Sequence, residues 1–206
     1  MWERLVALGA GFGGGSGGAG AGVKEEKDPG TVGGTKLRIL KYPHPKLRAP
    51  NLPITSFDAA LTQTATEMLM VMYAADGIGL AAPQVGVNMN LMVFNEKDDK
   101  EHEMILCNPE VVGASGIMAL GEEGCLSFPQ IYGQVQRNTW VEVSYQTLAG
   151  ERVNRRFEGK PAIIFQHEFD HLDKVLFIDR LEEEDKKLNQ KRLEKYVKKY
   201  GAGAAP

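Results

Sequence analysis

The sequence predicts an α+β protein in which helices pack against a mixed or antiparallel sheet. Residues 56–75 place Phe57, Leu61, Ala65, Met68, Leu69 and Met72 at the spacing of one helix face. Between 90 and 158 the pattern turns to short apolar or alternating runs punctuated by Gly and Asn, the signature of strands. From Pro161 onward the helical period returns and persists to the charged C-terminal region.

The elements follow in order. Half of the chain's 24 glycines lie between Gly9 and Gly34. Ordering such a segment costs much entropy and buries little, so residues 1–34 are expected to be disordered. Within them Trp2, Leu5, Val6 and Leu8 with Arg4 read as a targeting remnant or as an arbitrary flexible extension. Leu37 to Tyr42 reads as a strand closed by Pro43 and Pro45, and Ser56 as the N-cap of the first helix. The methionines of that helix read as core filling.

Leu91–Phe94, Met104–Cys107 and the alternating Trp140–Tyr145 are the clearest strands. Pro161 suits the first turn of a helix through Phe165, His167, His171 and Leu172. The last helix, roughly 182–200, opens on Glu182, Glu183, Glu184 and Asp185 and closes on Lys195, Lys198 and Lys199. That order complements the helix dipole. Its charge run reads mainly as a solvated face, with a ribosome-facing patch as the lesser alternative. Residues 201–206 read as a loose tail.

With 206 residues, 43% of them hydrophobic and 25% charged, the chain suits one soluble globular domain with loose ends. Net charge is -3, so no global basic field points to nucleic acid. No apolar run approaches the roughly 20 residues that span a bilayer. Two cysteines, Cys107 and Cys125, do not make a disulfide scaffold and favour reduced thiols in an intracellular compartment.

Residues 167–171 read His-Glu-Phe-Asp-His. On a helix, positions i and i+4 share a face, so both imidazoles reach one metal, and Glu168 between them can contact water on it. Zinc hydrolases use this pattern because the metal lowers the pKa of water from roughly 15.7 to about 7. A neighbouring carboxylate then takes the proton and returns it to the leaving amine. The bland alternative is two histidines met by coincidence on a charged helix.

A catalytic site wants a third protein ligand. Glu194 would complete a His-His-Glu peptidase site, but it lies in the charged last helix. Cys125 is the better choice, because the glycines of Gly121-Glu-Glu-Gly-Cys125 let the backbone approach closely. Cys107 sits in a plain apolar strand and reads as a buried small residue.

The stretch Gly77-Ile-Gly-Leu-Ala-Ala-Pro-Gln-Val-Gly86 has glycines too close for ordinary helix or strand. A phosphate cradle fails because Ala82 stands where a third glycine belongs. Two readings stay open: a purely structural tight turn, or a loop against which a peptide backbone lies close while Gln84 donates to an oxyanion.

In this order GIGLAAPQVG (77–86), EEGCLSFP (122–129) and QHEFDHL (166–172) closely resemble the three signatures of peptide deformylases, a likeness reaching from about Leu37 to Leu181. The resemblance implies that residues 35–200 form one catalytic domain around a central metal-binding helix. It implies Cys125, His167 and His171 as ligands of one divalent ion, commonly Fe2+ with Zn2+ or Ni2+ also accepted. Glu168 would be the general acid/base, and Gln84 with the Leu126 backbone N–H would stabilise the oxyanion. Ile78, Gly79 and Gly124 would line the cleft, with Ile163 and Ile164 at the methionine side chain. The implied substrate is the N-formylmethionyl end of a new protein. Phe128 to Tyr132 resembles plant and algal plastid forms. With the Gly-rich N-terminus this points to the plastid, ahead of a mitochondrion or a bacterial cytoplasm. Two other activities stand beside it: a His-Glu-x-x-His peptidase, and a non-catalytic metal-stabilised module docking on a ribosome through the last helix.

Overall fold

The computed structural model describes residues 32–97 and 100–200. The expectations for residues 1–31 and 201–206, including the targeting remnant and the loose tail, lie outside these described residues.

Helix α1 (Ala59–Ala74) runs where the apolar period placed it, but Asp58 caps it. The Asp58 Oδ1 accepts the Leu61 N–H at 3.0 Å, satisfying one orphan donor of the first turn. The expected cap, Ser56, instead donates its hydroxyl to Asp58.

Five strands form the larger sheet: β1 (Gly79–Ala81), β2 (Leu91–Phe94), β3 (Met104–Ala114), and then β6 (Trp140–Gln146) and β7 (Arg152–Glu158). Their order is β1-β2-β3-β6-β7 and every ladder is antiparallel. Between β3 and β6 the chain leaves the sheet as a separate antiparallel pair, β4 (Met118–Cys125) with β5 (Phe128–Asn138). Parallel pairing is confined, among the described residues, to the isolated bridge between Leu52 and Met89. The expected α+β class therefore holds, with antiparallel sheets.

Leu37 to Tyr42 forms no strand. Its N–H groups go one by one to different elements: Leu40 donates to the Gln84 carbonyl at 2.7 Å and Tyr42 to the Ser127 carbonyl at 2.9 Å. The segment thus straps the β1–β2 connection to the end of β4. Its apolar side chains look strand-like because Ile39 is buried, not because a ladder forms.

Helix α2 (Lys160–Leu172) carries Pro161 in its first turn and lies across the sheet. Ala162, Ile164 and Phe165 are buried at 1% exposure or less. The Phe165 ring stacks between Phe157 of β7 and Phe169, with centroids 5.7 and 5.5 Å away. Burying each such ring contributes about 1.5–3 kcal/mol. A second apolar cluster, built from Leu47, Phe128, Ile131, Val135, Leu176 and Phe177, closes the other side of α2. The short α3 (Phe177–Arg180) and the C-terminal α4 (Glu183–Tyr200) complete the fold, α4 resting on β5. None of the helices among the described residues is long and apolar enough to cross a membrane.

Candidate metal centre

Helix α2 is buried on the face that holds His167, Glu168 and His171, all at 2% exposure or less. One turn apart, the two imidazoles sit with centroids 5.4 Å from each other. Across from them β4 ends on Cys125, whose Sγ lies 3.3 Å from His171 Nε2. One ligand atom from each of Cys125, His167 and His171 can be chosen so that all three lie within 4.8 Å of one another.

These side chains fit a metal ion. His167 Nε2, His171 Nδ1 and Glu168 Oε2 are buried without a hydrogen-bond partner among the described residues. Buried polar atoms are normally satisfied, so His167 Nε2, the ring nitrogen that does not meet Glu123, asks for a ligand. One sulfur and two imidazoles form a donor set that suits zinc, iron or nickel. Burial pushes His171 well below the usual histidine range, with the charges of His167 and Arg137 adding to it, which favours the neutral ring that metals take.

Glu168 is held at the same spot by glycine. A Cβ on Gly79 would overlap Glu168 Oε1 and come within 3.0 Å of Ile164 Cγ2. Contrary to the expectation from two closely spaced glycines, Gly79 opens a strand, β1, paired to Phe94 of β2. Its lack of a side chain is what lets α2 lie on that strand. Burial pushes the Glu168 carboxyl up to about 7.

Gln84 lies in a short 3-10 turn (Ala82–Val85) after β1, 1% exposed. Its Oε1 accepts the Ala81 N–H at 2.8 Å, which turns Nε2 toward Ser127 Oγ at 3.3 Å and Cys125 Sγ at 3.5 Å. Gly124 packs under Tyr132, where a Cβ would stand 2.7 Å from the ring. Ile163 and Ile164 part company: Ile163 joins Leu120, Gly121 and Val135 around a small pocket, while Ile164 faces Gly79. Ile78 is half-buried beside them, and Leu126 is buried directly after Cys125.

Sequence reasoning missed the groups that hold the ligands. Glu123 Oε2 stands 2.8 Å from His167 Nδ1. Arg137 of β5 donates to the same carboxylate through Nε at 2.8 Å and Nη2 at 2.9 Å, and through Nη1 to Asp170 at 2.5 Å. Burial alone would raise the Glu123 carboxyl, but the bonds and charge of Arg137, aided by His167, hold it at about 2. A carboxylate behind a ligating histidine fixes its tautomer and ring orientation. Strand alternation could have found it: Glu122 is exposed and Glu123 is 1% exposed. Asp170 is the second partner of Arg137.

The rival third ligand is elsewhere. Glu194 is exposed on α4 and accepts from Gln190 at 2.9 Å. His44 caps the 3-10 turn Pro45–Arg48, and His102 sits exposed near Lys97. Cys107 is a free, buried thiol that burial pushes up to about 11, as its apolar strand led one to expect.

Comparison with known proteins agrees with this geometry. The family described as polypeptide deformylase matches residues 36–187. The chain is 46% identical over 166 residues to "Peptide deformylase 1B, chloroplastic" of Solanum lycopersicum, covering 80% of this chain and 60% of that protein. A protein of the same name from Oryza sativa is 48% identical over 147 residues, covering 70% of this chain and 55% of the rice protein. This chain therefore spans less than two thirds of either plant relative. A crystal structure of peptide deformylase from Plasmodium falciparum superposes with a TM-score of 0.78 at 40% identity, covering 82% of this chain and 100% of that one. By fold, motif order and sequence, the chain belongs to the polypeptide deformylase family.

Proposed function

We propose that this chain hydrolyses the formyl group from the N-terminal methionine of newly made proteins, with Cys125, His167 and His171 holding one divalent metal. The observation that carries the reading is that one ligand atom each from buried Cys125, His167 and His171 lie within 4.8 Å of one another, in a chain of this family. A divalent cation in that donor set supplies Lewis acidity, which polarises the formyl carbonyl and makes water acidic enough to react near neutral pH.

The chain's own residues do the rest. Glu168, its carboxyl lifted to about 7, takes the proton of the attacking water and delivers it to the leaving amine. Water and the formamide thus become formate and a free N-terminus. Gln84 Nε2, aimed by the bond between Oε1 and Ala81, and the Leu126 N–H donate to the oxygen that gains charge as water adds. Glu123 holds His167 through Nδ1, leaving Nε2 as the nitrogen that would hold the metal. Ile78, Gly79 and Gly124 border the peptide, and Ile163 and Ile164 contribute apolar surface for methionine.

Fe2+ is the metal implied by the family resemblance, with Zn2+ and Ni2+ as substitutes. The chloroplastic names of the tomato and rice relatives support a plastid location. Contact with the ribosome is assigned to α4, whose last turn carries Lys198 and Lys199.

The test is formate release from a formyl-Met-peptide under anaerobic conditions, with bound metal measured alongside. The wild type is expected to release formate. Glu168→Gln is expected to keep its metal and lose about 10²–10⁴ in turnover, whereas Cys125→Ala loses both. Cleavage of internal peptide bonds without formate would overturn the reading.

A further inference from the structure

We propose that Arg180, on the surface beside α2, is a positioning residue for the metal ligand His167, acting through Asp170, Arg137 and Glu123. The inference rests on the metal reading above and adds to it a group outside the three signatures. The chain of contacts is continuous. Arg180 grips Asp170 with two bonds, Nη2 to Oδ1 at 2.7 Å and Nε to Oδ2 at 3.1 Å. Asp170 Oδ2 takes Arg137 Nη1 at 2.5 Å, Arg137 forks Glu123, and Glu123 meets His167 Nδ1 at 2.8 Å.

Charge explains why the last member is needed. The Glu123 and Asp170 side chains are 1% and 9% exposed, and between them lies the buried guanidinium of Arg137, 5% exposed. Two carboxylates against one cation leave an unmatched negative charge where water cannot screen it. Arg180, 49% exposed, reaches in from solvent with the second positive charge. Without it, Asp170 has one partner and draws Arg137 toward itself, at the expense of the fork on Glu123. The carboxylate that orients His167 then loses its fixed position.

The sign of the effect separates positioning from simple charge. Removing a cation near a cation site strengthens metal binding by Coulomb's law. Loosening the group behind a ligating histidine weakens it, commonly by about 10–100-fold. The positioning role therefore predicts weaker binding.

The experiment titrates Co2+ into the full-length protein against a competing chelator and records the Co2+ absorption bands. Arg180→Ala is expected to raise the Kd for Co2+ about 10-fold and shift the bands. Arg180→Lys restores the charge but not the two-point grip, so its Kd falls between those of Arg180→Ala and the wild type. Arg48→Ala removes a surface pair to Asp179 on the same α3 and is expected to bind Co2+ as the wild type does. Unchanged or tighter binding in Arg180→Ala overturns the proposal, as does an equal loss in Arg48→Ala. Should Arg180→Ala fail to fold, wild-type affinity in Arg180→Lys overturns it instead. Formate release is scored separately: a wild type that binds Co2+ but releases no formate sinks the proposed function and leaves this inference standing.

Discussion

Two arginines in this molecule make nearly the same bonds in different surroundings. Arg137 forks Glu123 inside the protein, with side-chain exposures of 5% and 1%. Arg48 forks Asp179 at the surface, through bonds of 2.7 and 2.9 Å, with exposures of 30% and 38%. The surface pair ties the 3-10 turn Pro45–Arg48 to α3, and water screens it. The buried pair carries a large desolvation penalty that offsets much of its attraction, so its presence is weak evidence for stability. Its use is to keep a charged carboxylate behind His167. Depth decides whether an ion pair is fastening or machinery.

Breaking the buried pair has the largest expected effect. Arg137→Met strands Glu123 and Asp170 as buried charges and is expected to destabilise the fold by about 3–5 kcal/mol, read by urea denaturation at neutral pH. The pair also sets an acid limit. Because Glu123 is held at about 2, below the ordinary 4.5, its contribution is full above about 4.5 and is lost as pH falls toward 2. Metal-free wild type should therefore lose stability over that window, and Glu123→Gln should lack that part of the slope. An acid profile identical in both would mean that Glu123 is not depressed.

Gly79→Ala comes next. Its methyl group meets Glu168 and Ile164 at the contact between β1 and α2, so one of them must move. Overpacking of this kind costs about 1–3 kcal/mol. Because the displaced group is Glu168, turnover should fall by more than the loss of folded protein explains. A Gly79→Ala enzyme with wild-type turnover would show that Glu168 tolerates displacement.

The same contrast in depth governs what the sequence made legible. Helix α2 announced itself because His167 and His171 stand one turn apart on an apolar period, and Cys125 stood out after Gly121 and Gly124. The β4–β5 pair did not: Gly121, Glu122, Glu123 and Gly124 have poor strand propensity, and only cross-strand pairing with β5 makes them a strand. Strand alternation marks Glu123 as the inward member of two adjacent glutamates only once β4 itself is recognised as a strand. Arg137 was equally silent, since a charged residue in a polar run reads as surface until its two carboxylates are seen. The false strand at Leu37–Tyr42 failed for the converse reason: its burial was legible, but its hydrogen-bond partners, Gln84 and Ser127, lie far along the chain.

The smallest expected effect tests the surface half of the comparison. Arg48→Ala removes both bonds to Asp179 and one to the Lys174 carbonyl at 3.0 Å. The remaining groups are open to water, so no charge is stranded, and the cost should stay within about 1 kcal/mol and shrink with added salt. Formate release should not change, because none of these bonds reaches α2. A loss approaching that of Arg137→Met would mean that the grip of this turn on α3 is itself a structural keystone, and exposure would no longer separate the two arginines.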